Sequence, residues 1–237
     1  MVQSNNTDPD ESSRDSFTIL EGTEHETTVY ETVAPRDGPT VFVIGGIHGN
    51  EEAGWVAANE IAEWPIESGT LITIPEANPT AIEANSRRGA DGTDLNRQFP
   101  TGEPPQTALA EAIWSVVEAY NPDVLIDLHE SIGIYAGDPI DGVDQAIFHS
   151  GHDEATLAAD RAIEYVNDNY VDEPERYFMT GGFTGPDTDP EGLLVHKVYR
   201  EHGTIAFLQE TLRIGVELQT RVNWQLVLVA QLTDAWL

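Results

Sequence analysis

Residues 41–52 read VFVIGGIHGNEE, an apolar strand that runs into a glycine turn carrying His48 and Glu51. Residues 41–44 form a short run of Val, Phe and Ile, the character of a strand buried on both faces, and Gly45 and Gly46 end it. Asn50 is a good N-cap. Residues 51–64 then place Ala53, Val56, Ala57, Glu60 and Ile61 at helical spacing, with acids in the first turn where the helix dipole favours them. This order sets an imidazole and a carboxylate above the carboxyl end of a strand, where open α/β sheets bind ligands. A solitary His-x-x-Glu proves little, since a polar loop with a helix-capping acid explains it more economically.

The flanking segments repeat the pattern. Residues 1–16 are polar, acidic and rich in Ser and Asn, which predicts a disordered tail ahead of one domain over residues 17–237. Residues 17–20 and 27–33 alternate apolar and polar and predict two opening strands. Residues 69–75 predict a strand followed by loop, and residues 84–102, with Arg87, Arg88 and Arg97 but no period, predict a site loop. A helix is expected over 107–120, with Leu109, Ile113, Val116, Val117 and Tyr120 on one face. A second buried strand at 124–128 delivers His129. Residues 137–152 are expected as loop, 154–168 as a helix with Ala158, Ala162, Ile163 and Val166 inward, and 181–192 as another long loop. A third apolar strand at 204–208 ends in Gln209 and Glu210, and residues 216–236 carry the helical period at Val222, Leu226, Val229, Ala230 and Thr233. Strands alternating with helices predict an α/β fold.

Composition narrows the chemistry. The 237 residues contain no cysteine, which excludes disulfides and thiolate metal sites and leaves His, Asp and Glu as the strong ligands. No run approaches the roughly 18 apolar residues of a membrane span, and the N-terminus lacks an apolar signal region, so a soluble, cytoplasmic protein is expected. There are 42 acids against 11 bases, a formal net charge of −31, and the single lysine is Lys197. Such an excess repels phosphates, which argues against a nucleic-acid partner. It also destabilises a compact chain unless salt screens it, and the Debye length shrinks to about 3 Å at molar ionic strength. The composition therefore predicts a halophilic protein working in a high-salt cytoplasm.

Three strand ends present His48 with Glu51, then His129, then Glu210. Two imidazoles and a carboxylate form a catalytic zinc set with water in the fourth position, whose pKa zinc lowers to about 7. Glu210 suits the role of base and acid, taking the proton from that water and passing it to a leaving amine. Alternatives remain for each residue alone. His129 fits a satisfied histidine at a strand end, and Glu210 fits a solvated surface charge. His149 and His152, three apart, fit a polar loop better than a second metal site.

The motifs Gly46-Ile-His48-Gly-Asn-Glu51, Asp94-Leu-Asn96-Arg97, Leu125-Ile-Asp-Leu-His129 and Phe207-Leu-Gln-Glu210, in that order, resemble the zinc carboxypeptidase superfamily, nearest its succinylglutamate desuccinylase and aspartoacylase branch. The resemblance implies a single three-layer αβα domain around a mixed, mostly parallel central sheet. It implies one Zn2+ held by His48, Glu51 and His129, with Glu210 as general base and acid. Arg87 would stabilise the oxyanion, with Arg88 as its rival, and Asn96 and Arg97 would bind a substrate carboxylate. Asp94 would orient His48. The implied activity is hydrolysis of an amide bond beside a free carboxylate, in an N-acyl amino acid or, alternatively, at a peptide C-terminus. Members of that branch usually carry a further β-rich domain, whereas little sequence follows Glu210 here, which leaves the substrate open. Tyr135, Tyr177 and Tyr199 all qualify as a substrate-capping tyrosine. A non-catalytic binding protein on the same fold is the reading from another class, and a phosphate-binding protein is disfavoured because Gly45 and Gly46 lack the Lys and Ser/Thr of a phosphate loop. The sequence does not set the oligomeric state.

Overall fold

The computed structural model describes residues 12–234 and 236, apart from 133, 136–141, 144 and 186–189. Its main sheet has eight strands: β1 (Ser13–Ile19), β2 (Thr27–Val33), β3 (Thr40–Gly45), β4 (Thr70–Ile74), β5 (Val124–Ser131), β8 (Ala146–His149), β9 (Met179–Gly182) and β10 (Ile205–Leu212). They lie in the order β1-β2-β4-β3-β5-β10-β8-β9, while β6 (Ile134–Tyr135) and β7 (Gly142–Val143) pair separately. The central four, β4, β3, β5 and β10, are parallel. β2 and β8 join them antiparallel, and the edge strands β1 and β9 complete a mixed sheet.

The central strands are apolar on both faces because both are covered. Val41 and Val43 pack toward Ala57 of α1 (Glu52–Ile61), Ala159 of α4 (Asp153–Tyr170) and Leu228 of α6 (Leu218–Thr233). Phe42 and Ile44 pack toward Ile113 of α3 (Ala108–Tyr120) and Leu194 of α5 (Leu194–His202). The domain therefore has the expected three layers. From β3 the chain crosses through α1 to β4 on one side, and from β4 through α3 to β5 on the other. The strand order reverses at β3, and the crevice outside the carboxyl ends of β3 and β5 is where such sheets take their ligands.

Several boundaries differ from the sequence expectation. Residues 1–11 of the expected tail lie outside the described residues, and residues 13–16 belong to β1, whose partner β2 supplies a complete antiparallel ladder. The expected loop over 137–152 contains β8, a four-residue strand too short to show a period, which zips against β10; residues 137–141 and 144 of that loop lie outside the described residues. Of the loop expected over 181–192, residues 181–182 finish β9 and 186–189 lie outside the described residues. Helix α5 escapes the apolar pattern because His196 and Lys197 occupy buried positions. The short α2 (Pro79–Glu83), within a segment expected as loop, starts on Pro79 with Asn78 accepting from the amide of Ala81. In α4 the expected Ala162 and Val166 are buried and Ala158 and Ile163 pack partly buried against the core, with Ala155 and Ala159 added to that face; in α6 the expected Val222, Val229 and Thr233 are buried together with Trp224 and Leu228, while Ala230 is exposed.

Lys197 shows where a chain nearly free of lysine keeps one. Its side chain is buried, and Nζ donates to the carbonyls of Pro100 at 3.1 Å and Glu103 at 2.7 Å and to Glu201 Oε1 at 2.7 Å, lying 4.7 Å from the centre of the Trp114 ring. The ammonium ties α5 to the loop before α3, and without it the carbonyls of Pro100 and Glu103 lose this donor. Lys197→Met is expected to lower stability by about 2–4 kcal/mol, read from urea unfolding at fixed salt. An unchanged unfolding midpoint would show that the clamp carries no such weight.

Candidate metal centre

His48 and Glu51 arrive from the turn after β3, and His129 arrives from near the carboxyl end of β5. Their relative exposures are 2, 6 and 2%, and one donor atom from each lies within 4.8 Å of the others. His48 Nδ1 is 2.8 Å from Glu51 Oε1, His129 Nδ1 is 2.7 Å from Glu51 Oε2, and the two Nδ1 atoms are 3.2 Å apart. Among the described residues this is the group of three His, Asp or Glu side chains arranged to hold a metal ion.

The turn that makes this possible depends on glycine. Gly46 has φ +72°, a left-handed conformation costly for side chains with a Cβ. At Gly49 a Cβ would sit 2.0 Å from the backbone of Ala81, so the chain there must be bare. The amides of Gly49 and Asn50 both donate to the Ser86 carbonyl, at 2.9 and 3.2 Å, and Arg213 Nη1 donates to the Asn50 carbonyl at 2.6 Å. The N-cap of α1 is Glu51 rather than the expected Asn50, and its side chain makes no capping hydrogen bond because both oxygens face the imidazoles.

Each imidazole is also held from behind. His48 Nε2 lies 3.0 Å from Asp94 Oδ1, the contact expected of Asp94. His129 Nε2 lies 3.0 Å from Asp127 Oδ1 and 3.3 Å from Asn96 Nδ2, and the amide of Leu194 donates to Asn96 Oδ1 at 3.3 Å. Burial opposes ionisation of Glu51 and Asp94. The imidazoles overcome it at Glu51, and His48 and Arg87 overcome it at Asp94, so both carboxyls are held far below the usual range. Burial likewise opposes the His129 cation, yet Asp127 and Glu51 push that imidazole well above its ordinary value. Carboxylates thus surround a point between two nitrogen donors and favour positive charge there, which fits a divalent cation bound by these three residues.

Glu210 lies beside His129 because β5 and β10 are parallel with these two residues in register. It sits inside β10 rather than past its end. Its Oε2 is buried without a hydrogen-bond partner, and burial, reinforced by Glu51 and Asp127 against His129 and Arg87, pushes the carboxyl up to about 8. Arg87 places Nε 3.1 Å from Asp94 Oδ2 and Nη1 3.2 Å from His48 Nδ1 and 3.4 Å from Glu51 Oε1. Arg88 turns outward to the carbonyl of Gly92, so Arg87 is the arginine beside the triad. Arg97 is exposed, with Nη1 on the carbonyl of Asn96 at 2.7 Å.

Of the three candidate tyrosines, Tyr199 packs on His152, with ring centres 5.2 Å apart. Because β8 runs antiparallel to β10, residues 150–152 lie at the amino-terminal ends of β5 and β10, so Tyr199 is on the wrong side of the sheet. Tyr177 is exposed after a short turn, and the side chain of Tyr135 lies outside the described residues. His149 and His152 form no flexible loop: His149 ends β8 and is buried, and His152 Nδ1 meets Ser150 Oγ at 3.0 Å. Sequence reasoning passed over Glu130, Arg221 and Gln225, which are buried around His129. Their one sequence signal is a charged or polar residue inside an otherwise apolar strand or helix face.

Residues 37–182, more than half of the chain, match the model of the succinylglutamate desuccinylase/aspartoacylase catalytic domain. The chain belongs to this family. Among curated proteins it is 33% identical over 105 residues to an N-alpha-acetyl-L-2,4-diaminobutyric acid deacetylase of Halomonas elongata, a match covering 41% of this chain and 30% of the relative. Among solved structures, tripeptide-bound Csd4, a cell shape determinant of Helicobacter pylori, superposes with a TM-score of 0.73 at 19% identity over 94% of this chain and 55% of that one. A succinylglutamate desuccinylase/aspartoacylase of Rhodobacter sphaeroides superposes with a TM-score of 0.66 at 18% identity, over 98% of this chain and 68% of that one. These likenesses establish a zinc carboxypeptidase-like fold. The chain spans less than a third of the deacetylase and about half of Csd4.

Asp94 bears on both His48 and Arg87, so its removal tests the geometry directly. Asp94→Ala is expected to weaken metal binding about 10–100-fold while the fold persists, measured by chelator competition and circular dichroism. Affinity equal to that of the parent protein would mean that His48 needs no such support.

Proposed function

We propose that this protein is a zinc-dependent hydrolase of an amide C–N bond next to a free carboxylate, removing the acyl group from an N-acyl amino acid. The observation that carries this reading is the meeting of His48, Glu51 and His129 at one buried point with Glu210 in register beside them. The name of the Halomonas elongata deacetylase supports an acylated amino acid as the substrate class. Trimming of peptide C-termini stands second, supported by the fold shared with Csd4, which is described as a D,L-carboxypeptidase.

His48, Glu51 and His129 hold one zinc ion. Zinc held by these three side chains would lower the pKa of a bound water to about 7 and would polarise the substrate carbonyl. Glu210 takes the proton from the attacking water and returns it to the leaving amine. Arg87 donates to the oxygen that gains charge. Arg97 pairs with the substrate carboxylate through its planar guanidinium. Asn96, whose amide is engaged by His129 and Leu194, holds the substrate-binding turn in place.

Glu210→Gln is expected to cut turnover about 10²–10⁴-fold with zinc retained, measured with a panel of N-acyl amino acids and short peptides. Arg87→Met should cost roughly 10²–10³ in kcat, whereas Arg88→Met should behave as the parent. Near-normal turnover in the glutamine variant would defeat this mechanism, and cleavage confined to the peptides would favour the second reading.

We also assign the acidic excess to a high-salt cytoplasm. Thermal unfolding should shift upward between low and molar salt as screening relieves self-repulsion. A midpoint indifferent to salt would remove that assignment.

A further inference from the structure

Glu51 occupies the N-cap of α1 but gives that helix no side-chain hydrogen bond. An acid at this position ordinarily accepts from one of the first free amides. Here both oxygens are turned to His48 and His129. The amide that needs an acceptor is that of Ala53, a fully buried residue. Glu130, next to His129 on β5, supplies it: its Oε2 accepts from Ala53 N at 3.0 Å. The other oxygen of Glu130 accepts from Nη1 of Arg221 on α6, whose Nε donates to the Val216 carbonyl at 3.1 Å. The backbone N–H of Glu130 donates to Glu51 Oε2 at 3.2 Å. One turn along α6, Gln225 Nε2 donates to the carbonyl of His129 at 3.0 Å and to Thr211 Oγ1 at 3.1 Å.

We propose that Glu130 and Arg221 are positioning residues for the metal centre, Glu130 capping α1 in place of Glu51 and Arg221 fixing Glu130 in that orientation, so that the Glu51 carboxylate is left for the ion. This rests on the reading that the triad holds a divalent metal. A buried ion pair contributes little net stability over a well-packed apolar pair, so stability alone gives weak reason for the Glu130–Arg221 contact. The capping geometry gives a stronger one, because the helix amide and the metal compete for one carboxylate unless a second is provided.

The test titrates Zn2+ into the full chain at molar salt against a chelating dye and records thermal unfolding of each metal-free protein. Glu130→Ala combined with Arg221→Met removes the substitute cap without leaving a lone buried charge, and should lower zinc affinity about 10–100-fold. Glu130→Gln combined with Arg221→Met keeps an oxygen for Ala53 N but loses the guanidinium that orients it, and should lose clearly less affinity than the alanine pair. Lys197→Met, which removes a buried ammonium elsewhere, should lose stability without losing affinity. Where the alanine pair fails to fold, Glu130→Asp, with its carboxylate drawn back from Ala53, should show the loss instead. Parent-like affinity in the alanine pair or in Glu130→Asp overturns the inference, as does an equal loss in the glutamine and alanine pairs. A parent protein that takes up no zinc overturns the triad reading together with this inference, and is distinguished by its failure before any substitution is made.

Discussion

The site depends on the lateral register of three parallel strands. β3, β5 and β10 are neighbours, with Gly45 opposite Leu128 and His129 opposite Glu210. In a parallel pair, adjacent residues send their side chains to the same face, so a slip of one residue in β10 would carry Glu210 from the crevice to the opposite layer. Residues 205–208 are apolar on both faces, so the fit of Ile205 and Phe207 in one layer and of Ala206 and Leu208 in the other, rather than any apolar–polar alternation, holds that register. Packing in the two helical layers thus determines which carboxylate stands beside the triad.

Electrostatics then does what packing alone cannot. Glu51, Asp94 and Asp127 gather within reach of two imidazoles in a buried place, where like charges repel strongly. Such a cluster is stable only with positive charge among its members, which the raised His129 and the Arg87 guanidinium supply. Glu210, farther from these cations and unpartnered at Oε2, takes the opposite course and is pushed toward its neutral form. The surroundings thereby hold one carboxyl of the site charged and favour the neutral form of another.

Much of this was legible in residue order. The runs at 41–44, 124–128 and 204–208 have an apolar composition strong enough to identify central strands, and His48, Glu51, His129 and Glu210 follow from their ends. The choice between Arg87 and Arg88 was not legible, because it depends on which way two adjacent side chains turn over an aperiodic loop, and only folded contacts with Asp94 and Gly92 decide it. β8 and α5 were hidden for different reasons. β8 is held by its neighbour β10 rather than by its own pattern, and α5 buries His196 and Lys197 where a period analysis expects apolar residues. The contacts of Glu130 with Ala53 and Arg221 join residues remote in sequence, so no local spacing reveals them.

The scarcity of bases turns them into markers. A chain with 11 bases against 42 acids keeps several of those bases where their loss would strand buried partners. Lys197 and Arg221 are buried against acids and carbonyls, Arg87 stands beside the triad, and Arg213 braces the turn that carries His48 and Glu51. Exposed pairs such as Arg36 with Glu67 contribute far less, since solvent and salt screen them. In a protein of this composition, a lysine or arginine within an apolar helical period therefore points to interior acceptors, as Lys197 points to the carbonyls of Pro100 and Glu103, and Arg221 to Glu130 and through it to the capped end of α1.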